Sequence, residues 1–73
     1  MTYQETIAKQ IKEARAMLRK VPAHLRGGFH QMGARYAKDA AMWLERGDME
    51  MASLKAMDAK FQADRAVALL AWA

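Results

Sequence analysis

Few side chains in this sequence could carry out covalent chemistry, and their spacing keeps them apart. His24 and His30 are six residues apart. On an ideal helix that is about 240° of rotation, so they cannot converge on one ligand. Each reads as a surface or half-buried histidine beside the glycine turn. The only serine, Ser53, has no histidine within a helical turn of it, and Thr2 and Thr6 fall at a helix start. Gly27-Gly28 lacks both the lysine–serine/threonine ending and the preceding strand of a phosphate-binding loop. Cysteine is absent, which removes disulfides and thiolate metal sites together. The expectation is a protein with no catalytic residues, no metal and no cofactor.

Two acids interrupt otherwise apolar stripes. Asp39 lies between Tyr36 and Trp43, and Asp64 follows Phe61 by three residues. Opposed across two helices, they would make a paired-carboxylate site. A simpler reading pairs each with a base four residues earlier, Asp39 with Arg35 and Asp64 with Lys60. Such a polar position can also set helix register at some cost in stability. The structural role is the one expected.

Charge is distributed more tellingly than the reactive groups are. Residues 1–20 hold five basic and two acidic side chains (+3), residues 21–46 four and two (+2), and residues 47–73 three and four (−1), consistent with the overall +4. The positive end predicts an anion-binding face made of Lys9, Lys12, Arg19, Lys20 and Arg26, suited to nucleic acid or to an acidic protein patch. Aromatic residues that would stack on unpaired bases do not alternate with these positions. No helix-turn-helix signature is present. A basic amphipathic helix could also lie on a membrane surface, but its apolar face is better explained by the core.

The elements that position these groups are helical. Strong helix formers dominate and β-branched residues are few. Thr2 and Glu5 fit a capping box. Behind it Tyr3, Ile7, Ile11, Ala14, Leu18 and Val21 share one face, with Met17 beside them, and basic residues cover the other. Pro22 ends this first helix, about residues 3–20. Residues 22–28 admit two readings, a new helix begun by Pro22 or a turn broken by Gly27-Gly28. From Phe29 onward, Phe29, Met32, Tyr36, Ala40 and Trp43 define a second helix, about 24–46, with small surfaces at Gly33, Ala37 and Ala41. Gly47 is a left-handed stop and Asp48 an N-cap for a third helix, about 48–72. So short a junction makes these two helices antiparallel.

That third helix organises the rest. Ala52, Ala56, Ala59, Ala63, Ala66, Leu70 and Ala73 recur in alternating steps of four and three, the period that keeps one side of a helix against a neighbour. Alanine there lets two helix axes approach closely. Leu54, Met57, Phe61, Val67 and Leu69 are expected to supply flanking bulk.

The run Arg35-Tyr36-x-x-Asp39-Ala40-x-x-x-Leu44-Glu45-x-Gly47-Asp48, followed by Ala52, Ala59 and Asp64, resembles an archaeal family of short helical domains of unknown function. The resemblance covers residues 32–64 and implies a fold rather than an activity. It departs from the family in the last helix, where Asp58, Lys60 and Gln62 stand in place of the family's tyrosine, histidine and tryptophan.

A single domain of 73 residues buries only about 60% of its unfolded surface. Small scaffolds add disulfides, metals, oligomerisation or dense helix packing, and without cysteine the last two remain. The longest apolar run, Ala66–Ala73, is eight residues, short of the roughly 20 that span a bilayer. No signal-peptide pattern opens the chain, and the expected location is the cytoplasm. Val67, Leu69, Leu70 and Trp72 point in several directions around their helix, more than one neighbour covers, which predicts a self-association or partner surface. Six internal methionines add adaptable apolar surface.

The sequence therefore predicts an all-α protein. It is a three-helix antiparallel bundle, or a helical hairpin plus an N-terminal helix, completed by homodimerisation. The expected function is non-enzymatic binding of another macromolecule. A phage-type or mobile-element regulator that inhibits a host protein fits these features, and a nucleic-acid-associated protein is the alternative.

Overall fold

The computed structural model describes residues 2–72. Among them are three α-helices, α1 (Tyr3–Arg19), α2 (Gly28–Glu45) and α3 (Met49–Ala68), two short 3₁₀ segments (Ala23–Leu25 and Leu69–Trp72), and no strand. The fold is all-α, as the composition predicts. Each α-helix packs against the other two.

Local signals set the helix ends. The Glu5 amide donates to the Thr2 hydroxyl at 3.1 Å, satisfying one of the free amides at the start of α1. Between α2 and α3 the chain reverses through a Schellman motif. Gly47 adopts φ +84°, the Asp48 amide donates to the Trp43 carbonyl at 3.0 Å, and the Gly47 amide donates to that of Leu44 at 3.1 Å. Asp48 then caps α3, its carboxylate accepting from the Met51 amide at 3.1 Å. Asp48→Ala is expected to cost about 1 kcal/mol, measured as a lower urea midpoint with an unchanged slope.

The core is asymmetric in bulk. Helix α1 contributes Ile7, Ile11, Ala14 and Leu18, with Val21 just beyond it. Helix α2 contributes Gly33, Ala37 and Ala40, and α3 contributes only alanines, at 52, 56, 59, 63 and 66. The α1 side chains thus fill space that the other two helices leave by being small. A Cβ at Gly33 would lie 3.1 Å from a Leu18 methyl and 3.5 Å from the Ala63 backbone nitrogen. Glycine at this point lets α2 approach both neighbours. Ala73, which would continue the alanine series, lies outside the described residues.

Several expectations need correction. The second helix begins at Gly28 rather than near residue 24. Pro22 instead opens a separate 3₁₀ turn, and Arg26 and Gly27 are extended. The third ends its α-helical part at Ala68 and tightens to 3₁₀ geometry beyond it. Tyr3 and Met32, read as face residues, are exposed, and so are Leu54, Met57, Phe61 and Leu69, read as flanking bulk. The reason is geometric. Leu54, Met57 and Phe61 fall on the side of α3 opposite its buried alanines, which no other helix covers. The bundle is long and narrow, 39 × 20 × 15 Å, and leaves one side of every helix uncovered.

The predicted partners of the two acids are also different. Lys60 reaches Glu13 on α1 at 3.1 Å instead of Asp64, and this is the only salt bridge among the described residues. Asp39 therefore has no ion pair with Arg35. Asp39 is half-buried and Asp64 is exposed. Both partners of the Lys60–Glu13 pair are partly exposed, so it orients α1 on α3 more than it stabilises the fold.

Candidate functional surfaces

Two surfaces have a composition that internal packing does not explain. The first is the outer face of α3. At 100° per residue, Leu54, Met57, Phe61 and Arg65 lie opposite the alanine seam. Leu54 is 52%, Met57 60% and Phe61 54% exposed, so three large apolar side chains form a line down a helix whose other side is fully covered. The same angular arithmetic applied to the sequence finds this line. Reading these residues as flanking bulk missed it.

Charges edge the line. The Arg65 guanidinium lies 4.9 Å from the centre of the Phe61 ring and 5.8 Å from that of Phe29 on α2, a cation–π contact that links α3 to α2. Lys55 sits 5.3 Å from the Tyr36 ring, a second cation–π bridge between α3 and α2. Glu50, Asp58 and Asp64 are exposed.

The C-terminal residues singled out from the sequence divide into two pairs. Val67 and Leu70 pack on the core, whereas Leu69 faces solvent and Trp72 is 87% exposed. Trp72 lies in the 3₁₀ segment that follows α3.

The second surface is a cleft of about 260 Å³ between α1 and α2. Arg15, Leu18 and Arg19 line it from α1, Arg26 from the connecting segment, and His30 and Ala34 from α2. Of the five predicted basic residues, Arg19 and Arg26 are brought together here. Lys9, Lys12 and Lys20 lie exposed on the far side of α1, opposite its buried stripe. Arg15 and His30 belong with the arginines, and sequence spacing does not reveal this because the cleft draws on three separate elements. The two histidines do not meet. His24 is exposed in the 3₁₀ turn and His30 is half-buried at the cleft. No group of three or more histidine, aspartate or glutamate side chains converges among the described residues. Asp39 and Asp64 are not brought together as a catalytic pair by any described contact. No helix of the structure is long and apolar enough to cross a membrane.

Comparison with known proteins adds no relative: no family model matches the chain, and neither curated proteins nor solved structures give a match.

Proposed function

We propose that this protein is a small helical interaction module that self-associates through the outer face of α3 and acts by binding another macromolecule. The observation that carries this reading is the line Leu54–Met57–Phe61, more than half exposed on a helix whose opposite side is sealed by alanines. Contiguous apolar surface of this kind favours burial against a partner. A second copy is the occupant that the charges favour.

In an antiparallel two-fold pairing centred between Met57 and Asp58, Leu54 faces the partner's Phe61 and Glu50 faces the partner's Arg65. Two-fold symmetry makes each of these contacts twice. The exposed Leu69 and Trp72 extend the apolar surface past the end of α3.

Sedimentation velocity across a concentration series tests this. The wild type is expected to show a monomer–dimer equilibrium, and Phe61→Glu to remain monomeric with its helicity intact. Arg65→Glu is expected to weaken the dimer, and Glu50→Arg combined with Arg65→Glu to restore it. A wild type that stays monomeric at every concentration, or a dimer indifferent to Phe61→Glu, would overturn the reading.

A further inference from the structure

We infer that the cleft between α1 and α2 is a binding site for a terminal phosphate group, held by Arg15, Arg19 and Arg26 with His30. Arg15, Arg19, Arg26 and His30 line one open groove of about 260 Å³, and no acidic residue does. The only salt bridge among the described residues is Lys60–Glu13, so no internal acid neutralises these arginines. Basic residues concentrated on one groove without acids raise the local concentration of anions there.

The cleft is also partly built. The Arg26 Nε–H donates to the Val21 carbonyl at 3.0 Å. That bond ties the guanidinium to the backbone at the end of α1 and leaves its two terminal nitrogens for a ligand. Val21 is itself buried, so the anchor is set by the core. Arginine offers a planar fork that matches two phosphate oxygens at once, and the imidazole contributes a ring N–H whichever tautomer it adopts. Leu18 and Ala34 supply an apolar wall. That wall offers contact to the organic stem of a phosphate ester.

A dianionic terminal phosphate matches three arginines on one groove better than the single charge of an internal diester. The same terminal group could reach the cleft on a free small molecule or on the end of a nucleic acid. No α3 residue lines the cleft, so the site stays open whether or not α3 is covered, and this inference does not depend on self-association.

The test is an NMR titration of the intact protein that follows the arginine Nε–Hε resonances. Inorganic phosphate and ribose 5-phosphate are added in turn, with chloride at matched ionic strength as control. Saturable shifts are expected at Arg15, Arg19 and Arg26 and at the His30 ring, but not at the amides of Lys9 and Lys12. Arg15→Gln and Arg19→Gln, both at exposed positions, are each expected to weaken phosphate binding about tenfold. Lys9→Gln with Lys12→Gln, and Phe61→Glu, should leave it unchanged. Arg26→Gln is expected to have the largest effect, and an unchanged melting temperature would separate lost binding from a loosened connector.

Matched single-stranded oligonucleotides with and without a 5′-phosphate then identify the source. Tighter binding of the phosphorylated strand than of ribose 5-phosphate assigns a nucleic-acid end, and equal binding assigns a free ester. Shifts that stay linear and spread over every basic residue, or Arg15→Gln and Arg19→Gln variants that bind as the wild type does, would overturn the assignment.

Discussion

Ile7→Ala is expected to lower the stability of the domain by about 2–5 kcal/mol. Ile7 is completely buried and, with Val21, is one of the two largest fully buried side chains. Because the fully buried residues of α2 and α3 are glycine and alanine, the core around Ile7 has little buried bulk that can shift into the space. The cavity term therefore adds to the lost transfer energy rather than being relieved by repacking. A domain of this length has a total stability of about 4–11 kcal/mol, so a large share would be lost. Urea unfolding followed by far-UV circular dichroism measures the change. An unchanged midpoint would mean that α1 is not docked through this residue.

Ala59→Leu should destabilise by the opposite route. Ala59 has no exposed surface and lies in the middle of the seam on α3. Leucine adds three carbon atoms where the helices are held together by the absence of bulk, and the axes must separate to admit them. Overpacking of this kind costs about 1–3 kcal/mol and sometimes more. The better helix-forming residues differ little in propensity, so the effect reports packing alone. Ala16→Leu, on the exposed face of α1, is the matched control and is expected to stay within about 0.5 kcal/mol of the wild type. Equal effects at the two positions would show that the alanine seam is not an interface.

These two substitutions probe features of unequal legibility. The seam could be read directly from the recurrence of alanine from position 52 to 66, and all five of its alanines are buried. The Gly47-Asp48 reversal was equally plain, because a left-handed glycine followed by a capping aspartate is a local instruction. The segment 22–28 was legible only as a choice. Pro22 and the glycine pair each stop a helix, and both act here, giving a short 3₁₀ turn and a fresh start at Gly28. Periodicity failed for Met32, which falls in the apolar series of α2 and is exposed, whereas Leu54, Met57 and Phe61 were read as flanking bulk although their spacing sets them opposite the seam.

The candidate surfaces differ in the same way. The apolar line on α3 lies within one helix, so helical geometry alone locates it. The arginine cleft requires Arg15, Arg26 and His30 to be drawn from two helices and the segment between them, and the Lys60–Glu13 pair joins residues far apart in the chain. Residues at helical spacing, caps and turn signals determine where helices begin, end and present a small face, because those effects act over a few residues of backbone. Which large side chains are covered, and which charges meet, depends on how closely the axes approach. That distance is set by the summed bulk of all three helices, and only the assembled bundle decides it.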